Sequence, residues 1–310
     1  MALEKRRAKV TFDTMNTFRD KVVARFQAVQ DAICDFLTRE NGESYHEDAW
    51  EYGSGKGGGR SRVFRGGRLL EKGGVNFSAL EGHSLPPSAA TAFAIAPGTP
   101  YFATGVSLVL HPRNPHIPTV HLNIRYFTAG TAGWFGGGMD LTPYYPRRES
   151  IVAWHRGLKS LCDDHGRDYA AMKKDCDDYF HLKHRQEARG VGGIFFDHLR
   201  QDQEADLEFA AAVGHAFPSL YAPCLREADH PVTENERKFQ LYRRGRYVEF
   251  NLVYDRGTLF GLQSGGRIES ILMSLPPLAA WEYDYRAEPG SPEEALTAYW
   301  LQPRDWLAPE

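Results

Sequence analysis

YFATGVSLVLHPRNPHIPTVHLNIRYFTAGTAGWFGGGMDLTPYY, residues 101–145, carries the clearest structural pattern in the chain. It contains three runs rich in β-branched and aromatic residues, Ala103–His111, Thr119–Phe127 and Trp134–Leu141, separated by turns that carry Pro and Gly. Runs of this kind, bounded by turn residues, are typical of consecutive antiparallel strands. The stretch therefore predicts a sheet whose neighbouring strands are also neighbours along the chain.

Alternation along the second run separates polar from apolar side chains. Successive side chains of a strand point to opposite faces, so His121, Asn123 and Arg125 share one face and the apolar residues between them share the other. The third run ends near Asp140, just past three glycines that allow a ligand to approach the backbone closely. A histidine, an arginine and an aspartate on neighbouring strands suit a large anionic ligand with ionisable N–H groups.

Helical patterns surround these strands. Apolar residues recur near helical spacing in Thr14–Arg39, Ser150–Cys162, Tyr169–Arg185 and Gln203–Tyr221, and a short helix is expected at Pro292–Leu301. Helices before, between and after antiparallel strands indicate a single α+β domain over residues 1–310, with a large antiparallel sheet flanked by helices on both faces. Residues 1–13 are expected to form a flexible extension.

A second stretch, Tyr242–Pro277, is also predicted to be β-structure. It favours three strands, Arg246–Tyr254, Thr258–Gln263 and Ile268–Met273, joined by hairpin signals at residues 255–257 and 264–267. Earlier in the chain, Arg68–Ser78 is expected to form two strands around a Gly-Gly turn, and Leu85–Pro100 an irregular link.

The segment Gly53–Gly59 is rich in glycine. It does not match a phosphate-binding loop, because the Walker pattern requires Ser or Thr after the lysine and Lys56 is followed by Gly57. Two interpretations remain open. The segment is either a flexible loop that carries Arg60 and Arg62 towards an anionic ligand, or a plain surface connection.

Composition narrows the possible functions. The chain has 310 residues, of which 42% are hydrophobic, and its formal net charge of -3 argues against bulk nucleic-acid binding. No run approaches the ~20 apolar residues of a membrane span, and the N-terminus lacks the apolar segment of a secretory signal. We expect a cytoplasmic protein, with organelle import left open. The scattered cysteines are expected to be reduced structural thiols: Cys34, Cys162, Cys176 and Cys224.

Several motifs resemble those of one known family. They are GGGRSRVF (57–64), EKGGVNFS (71–78), GVSLVLHPRNPHIPTVHLNIRYF (105–127), WFGGGMDLTPYY (134–145), CDDYFHLKHR (176–185), RGVGGIFFD (189–197) and the whole block 242–277. In these motifs and their order, the chain from about residue 15 to the C-terminus resembles oxygen-dependent coproporphyrinogen III oxidase.

The resemblance implies a specific reaction and assembly. The reaction is oxidative decarboxylation of the ring A and B propionates of coproporphyrinogen III to vinyl groups in haem biosynthesis, with O₂ as the oxidant and protoporphyrinogen IX, CO₂ and hydrogen peroxide as products. The assembly is a homodimer built on a seven-stranded antiparallel sheet, with the region Tyr247–Glu282 linked to dimer formation.

The resemblance also suggests roles for particular residues. His121 is the candidate general acid and base, and Asp140 is the candidate for holding pyrrole N–H groups. Arg125, with Asn123 and the Ile124 backbone, is expected to bind a propionate. Ser107 and the Gly265-Gly266-Arg267 turn are expected to bind propionates as well.

No added cofactor is required by the proposed chemistry, but a metal is left open. His111, His121, His155 and His184 match positions that bacterial members use for a divalent cation, and imidazole suits several transition metals. The other interpretation is that His155 and His184 are hydrogen-bonded polar groups beneath the site. Two alternative functions also remain, a non-catalytic tetrapyrrole carrier and a His-ligated iron oxygenase.

Overall fold

The computed structural model describes residues 2–53 and 55–309, with the backbone alone described for residues 2–16, 88 and 92. The strands are β1 (His46–Glu51), β2 (Gly55–Arg65), β3 (Leu70–Gly82), β4 (Tyr101–Pro112), β5 (Thr119–Ala129), β6 (Ala132–Thr142), β7 (His181–Leu182), β8 (Glu187–Ala188) and β9 (Gly192–Leu199). The α-helices are α1 (Ala2–Asn41), α2 (Pro87–Phe93), α3 (Arg148–Asp164), α4 (Tyr169–Tyr179), α5 (Gln203–Tyr221), α6 (Glu234–Val253), α7 (Arg256–Gln263), α8 (Ile268–Leu272) and α9 (Pro292–Ala295). Met1 and the side chains of residues 2–13 lie outside the described residues, so the extension predicted for residues 1–13 stays a prediction.

A seven-stranded antiparallel sheet forms the centre of the fold. Its strand order is β1-β2-β3-β4-β5-β6-β9, and β7 pairs with β8 in a separate small hairpin. The three strands predicted between residues 103 and 141 are confirmed as β4, β5 and β6. The predicted α+β class is therefore confirmed.

One face of the sheet carries the hydrophobic core. Its residues on β4, β5 and β6 are almost fully buried: Val106, Leu108, Leu110, Val120, Leu122, Ile124, Met139 and Leu141. The helices α1 and α5 pack on this face with their own apolar stripes, which include Phe26, Ile33 and Phe217. The face that alternation in the sequence predicted to be apolar is thus the face on which α1 and α5 pack.

The opposite face is covered only in part, by α2, by the C-terminal end of α4 and by α6, α7 and α8. Met273, just after α8, packs against Gly74 of β3, where a Cβ would lie 2.8 Å from its sulfur. Phe250 of α6 packs with Phe180 and Phe195. Polar side chains of the sheet remain half-exposed between these contacts.

Tyr242–Pro277 was wrongly predicted to be strands. Residues 234–253 form the long helix α6, and the next two predicted strands are the helices α7 and α8. The residues that resemble hairpin turns are helix boundaries instead. Asp255 is the N-cap of α7 and accepts a hydrogen bond from the Thr258 amide, while Gly265 adopts a φ of 74° after the last turn of the same helix.

Four smaller predictions also need correction. Arg68–Ser78 does not turn at its glycines, because β3 continues through Gly73 and Gly74, where neighbouring side chains occupy the space of a Cβ. The predicted loop Gly53–Gly59 becomes strand β2 from Gly55 onward, while Ser54 lies outside the described residues. The link Leu85–Pro100 contains α2, and the helix predicted over Tyr169–Arg185 ends at Tyr179.

The remaining helices were predicted correctly. The helix expected over Thr14–Arg39 lies within α1, Ser150–Cys162 lies within α3, and Gln203–Tyr221 is α5. The C-terminal helix comprises α9 and a π-helical turn over Leu296–Trp300. The four cysteines are buried and unpaired, as predicted. In the described part of the chain, no helix has both the length and the apolar character that a membrane crossing requires.

Gly214 allows α5 to approach both α1 and the sheet. A Cβ at this position would lie 2.4 Å from Val29 Cγ1 and 3.2 Å from Ile124 Cδ1. We expect Gly214→Ala to lower the free energy of unfolding, because overpacking costs about 1–3 kcal/mol and the gain in helix propensity is only about 1 kcal/mol. Denaturant unfolding measures the change.

Gly157→Ala in α3 is the matched control. Its Cβ would meet only the end of the Leu220 side chain, at 2.2 Å, and that half-buried side chain can rotate away. This variant should be as stable as the wild type or slightly more stable. Equal stability of the two variants would contradict the proposed close approach of α5.

Candidate active site

A row of polar residues crosses the partly covered face of the sheet. Pairing between strands aligns, in order, Asp48 of β1, Ser61 of β2, Asn76 of β3, Ser107 of β4 and Asn123 of β5. Residues directly opposite each other in an antiparallel pair point to the same face. His121 and Arg125 flank Asn123 on β5 and share this face. The predicted residues Ser107, His121, Asn123 and Arg125 are therefore brought together.

Asp140 lies opposite His121 on β6 and is paired with it. Nδ1 of His121 is 2.9 Å from Oδ1 of Asp140. A carboxylate only accepts hydrogen bonds, so Nδ1 of His121 carries the proton. In the neutral imidazole the other nitrogen, Nε2, is then unprotonated, and it has no hydrogen-bond partner among the described residues. The His121 side chain is 20% exposed, whereas that of Asp140 is 1% exposed.

Arg189 holds the other side of the Asp140 carboxylate. Its Nη2 lies 2.7 Å from Oδ1 and 2.9 Å from Oδ2. The guanidinium is enclosed by three aromatic rings, with the centroids of Phe180, Tyr247 and Phe250 at 4.0, 4.8 and 4.7 Å. Cation–π contacts of this kind stabilise a desolvated guanidinium.

These contacts determine the ionisation of Asp140. Burial by itself would raise the pKa of its carboxyl, but the Arg189 guanidinium and the His121 imidazole outweigh burial and hold this pKa below its ordinary value. Asp140 is thus a buried carboxylate engaged by two protein partners. In this conformation it reaches a ligand only through His121, so direct contact between Asp140 and pyrrole N–H groups stays a prediction that the burial does not favour.

Arg125 is fixed by a carboxylate that alternation on β9 presents to the same face. Nη2 of Arg125 lies 2.9 Å from Oδ1 of Asp197, and its Nη1 donates to Oδ1 of Asn123 at 3.3 Å. Gly136 makes room for this pair, since a Cβ there would lie 2.7 Å from the guanidinium of Arg125. Gly136 is the first of the three glycines that were expected to let a ligand approach the backbone, and here it makes room for a protein side chain instead. The Arg125 side chain remains 35% exposed, so it is accessible to a ligand.

The predicted Gly265-Gly266-Arg267 turn lies at the other end of the polar row. It connects α7 to α8, and the Gly266 amide donates to Gly261 O at 2.8 Å, which closes α7. Arg267 forms an ion pair with Asp48 of β1. Ile124 contributes no side chain to this face, because its side chain is fully buried in the core on the opposite face.

The four predicted metal-binding histidines do not converge. Each ring nitrogen of His111 and His155 faces another protein group: Ser274 O and Thr119 Oγ1 for His111, Tyr169 OH and Val191 O for His155. Burial, helped by nearby cations, lowers the pKa of both imidazoles to about 3, so both are neutral.

His184 lies elsewhere, between Glu249 at 2.7 Å and Tyr254 OH at 2.9 Å. Across residues 2–53 and 55–309, as far as side chains are described, no group of three or more His, Cys, Asp or Glu has the arrangement of a metal site. The quartet of histidines is therefore not brought together, and His155 is a buried hydrogen-bonded group, as the other interpretation expected.

Arg189 and Asp197 were not identified from the sequence. The motif that contains both, residues 189–197, contributed to the family resemblance, but neither residue was given a role in the site. Alternation along residues 193–197 would have assigned Asp197 to the face of Phe195 and Gly193. Alternation gives only the face of the sheet, however, and does not specify which cation Asp197 contacts. The partner of Asp140 depends on tertiary packing, because Arg189 is 49 residues away along the chain.

The arrangement provides three chemical capabilities on one surface. His121 can accept or donate a proton at Nε2, with Asp140 holding the other nitrogen. Arg125 offers a guanidinium to an anion. Neutral polar groups come from Asn123, which lies between His121 and Arg125 on β5, and from Ser107, which lies opposite Asn123 on β4. Such a surface suits a wide ligand that has several carboxylates and a proton to transfer.

Removing Arg189 should expose the cost of the buried Asp140 charge. We expect Arg189→Met to lower the free energy of unfolding by about 3–5 kcal/mol at about pH 7, because one partner of a buried ion pair is lost. The double variant Arg189→Met/Asp140→Asn has no unpaired charge and should recover part of this stability. Denaturant unfolding of all four combinations measures the coupling.

The same variants carry a pH signature. The lowered pKa of Asp140 means that its stabilisation is present at neutral pH and is lost as the pH falls through that lowered value. In Arg189→Met the unpaired carboxylate is protonated on acidification, so the stability difference from the wild type should narrow towards about pH 4. A difference that does not depend on pH would contradict the ion pair.

A comparison with protein-family models identifies the family of this fold and site. The model described as coproporphyrinogen III oxidase matches residues 21–306, which covers the whole sheet, both sides of the polar row and the helices that cover it. The chain therefore belongs to the coproporphyrinogen III oxidase family, a family of oxidoreductases of haem biosynthesis.

Proposed function

We propose that the chain converts coproporphyrinogen III to protoporphyrinogen IX with O₂ as the oxidant. The observation that carries this proposal is the paired His121 and Asp140 beside Arg125 on one accessible sheet face. An enzyme that binds a tetracarboxylic macrocycle and moves a proton needs these groups close together. A row of polar residues that crosses several neighbouring strands also suits a wide, flat ligand.

The proposed reaction balances for each propionate. The methylene carbon next to the pyrrole ring loses a hydrogen, the neighbouring carbon loses its carboxyl group as CO₂, and a double bond forms between the two carbons. The two electrons released, together with the proton from the methylene carbon and one further proton from solvent, reduce O₂ to hydrogen peroxide. The reduced macrocycle is electron-rich, so deprotonating or polarising one pyrrole N–H prepares it for reaction with O₂.

His121 is the proposed general base and acid. Its Nε2 is available because Asp140 fixes the proton on Nδ1, and the ring packs edge-on against Phe180 with centroids 5.6 Å apart. Asp140 acts through His121: it selects the tautomer and stabilises the imidazolium when the ring takes up a proton. Arg189 keeps Asp140 ionised for this role.

Arg125 is the proposed partner of a propionate that does not react. A carboxylate that leaves as CO₂ should not be strongly stabilised as an anion, so a fixed arginine suits a propionate that stays on the macrocycle. Asp197 already shares the Arg125 guanidinium, which holds it in position for a ligand carboxylate. Ser107 and Asn123 are proposed to bind propionates from the floor of the site.

No further cofactor is part of this proposal. The electrons come from the substrate and O₂ receives them, so the balanced reaction has no step that requires a metal. The cytoplasmic location expected from the sequence stays a prediction.

A homodimer is the proposed assembly. Of the ten exposed large hydrophobic side chains in the described residues, seven fall within Tyr247–Glu282, the region that the family resemblance links to dimer formation. They include Val253, Ile268 and Leu278 at 57%, 57% and 56% exposure. Clustered exposed apolar side chains mark interaction surfaces, and a second copy of the chain is the partner we propose.

Turnover of coproporphyrinogen III in air and under argon tests the activity. We expect conversion in air by enzyme dialysed against a chelator, without added iron, and no conversion under argon. A tetrapyrrole carrier would bind without conversion in either gas, and an iron oxygenase would need iron restored. His121→Gln should reduce kcat by about 10²–10⁴-fold, while His83→Gln, which changes an exposed histidine, should leave it unchanged.

Light scattering after gel filtration tests the assembly. The expected mass is about twice the 35.0 kDa of one chain. The pair Ile268→Glu/Leu278→Glu should shift the mass towards one chain, because it introduces charge into the apolar surface, whereas Val232→Glu, at an exposed residue outside the segment, should not. A wild-type mass of one chain at micromolar concentration would contradict the dimer.

A further inference from the structure

Three neighbouring side chains of the polar row present hydrogen-bond donors to the open face. Asn76, Ser107 and Asn123 lie opposite one another on β3, β4 and β5, and all three are half-buried. Adjacent strands are about 4.8 Å apart, so the row from Asn76 to Asn123 is about 10 Å wide. Ser107 and Asn123 belong to the proposed propionate site, but Asn76 has not been given a role.

The amide of Asn76 is oriented by a small hydrogen-bond network. Oδ1 of Asn76 accepts from Ser61 Oγ at 2.9 Å. The indole Nε1 of Trp50, which can only donate, donates to the same Ser61 Oγ at 3.0 Å. Ser270 Oγ of α8 lies 2.6 Å from it on another side. Because Ser61 gives its single proton to Asn76, Ser270 donates to Ser61.

This network leaves the two N–H donors of Asn76 available. Its Nδ2 has no hydrogen-bond partner within the described part of the chain. Asn123 is arranged in the same way, because its Oδ1 accepts from Arg125 at 3.3 Å and its Nδ2 is likewise without a described partner. The two asparagines on either side of Ser107 thus both have the oxygen held by the protein and the amino group left for a ligand.

Donors without acceptors select a ligand that only accepts hydrogen bonds. An ionised carboxylate has that property, and hydrogen bonds to it are stronger than those between neutral groups. A neutral amide also avoids the strong stabilisation that an arginine would give to the anion. Asn76 and Asn123 each lie directly opposite Ser107, on the strand to either side of it.

We propose that Asn76 is a further substrate-binding residue, which donates through Nδ2 to a second carboxylate of the macrocycle beside the one bound at Asn123 and Arg125. Ser61 is a positioning residue, because it holds the amide with its amino group towards the ligand. This inference rests on the proposed function, since it takes coproporphyrinogen III as the ligand.

Replacing the amide by a carboxylate tests the proposal. Asn76→Asp keeps the shape and the acceptor for Ser61 but turns the donor towards the ligand into a like charge. We expect its KM for coproporphyrinogen III, and its Kd for coproporphyrin III by fluorescence quenching, to rise at least tenfold, while kcat changes far less. Asn76→Ala should raise both constants by about threefold to tenfold, because one hydrogen bond is lost.

Three other variants keep the test decisive. Ser61→Ala leaves Asn76 in place but removes the proton that orients it, and should raise KM by less than Asn76→Asp does. Gln302→Glu, at an exposed position near the C-terminus, makes the same charge change as Asn76→Asp and should leave both constants unchanged. Arg125→Ala provides the reference for loss of a carboxylate partner, with a large rise in KM.

The outcomes separate the two proposals. If the wild type binds and converts the substrate but Asn76→Asp and Asn76→Ala match it in KM and Kd, the role of Asn76 is overturned and the proposed function stands. If kcat falls and KM does not change, Asn76 does not bind substrate. If the wild type neither binds nor converts the macrocycle, both proposals are overturned. Thermal unfolding of each variant confirms that the compared proteins are folded.

Discussion

The buried ion pair between Asp140 and Arg189 is the interaction on which the rest of the site depends. It joins strand β6 to the segment before β9, and the rings of Tyr247 and Phe250 bring α6 into the same contact. Two charges removed from water are costly unless each is well partnered, and here the carboxylate has Arg189 and His121 while the guanidinium has the carboxylate and three rings. This pair therefore fixes both His121 and the position of the helix above it.

The sheet separates stability from chemistry by its two faces. The face towards α1 and α5 is filled with aliphatic and aromatic side chains, and close packing there tolerates little change in volume. The other face carries the polar row, whose members are held by contacts within the sheet or with the covering helices. Core residues and polar residues alternate along the same strands, so close packing of the core also fixes the backbone that positions the polar row.

Alternation in residues 103–141 was sufficient to predict the central strands and the grouping of His121, Asn123 and Arg125. The same reasoning failed in residues 242–277, because Asp255 and the glycines at 265–266 serve equally well as turn residues and as helix caps.

Helix α6 also lacks a clear apolar stripe, since several of its buried residues are arginines. Arg243, Arg244 and Arg246 pair with Glu187, Glu71 and Glu249, which come from distant segments or from the helix itself. Glu71 and Glu187 lie far from α6 along the chain, so their ion pairs are set by tertiary packing. The same reason explains why Arg189 was missed.

The alignment of five polar residues across five strands has a consequence for insertions and deletions. Each member of the row points to the same face as its neighbours only while the strands keep their present register. Deleting one residue from the middle of β4 would shift half of that strand by one place, turning Ser107 or its neighbours inward and a core valine or leucine outward. Such a frame error would damage folding and ligand binding together, whereas a point substitution at Ser107 affects only the open face. Natural length variation in this fold should therefore be confined to the turns between strands.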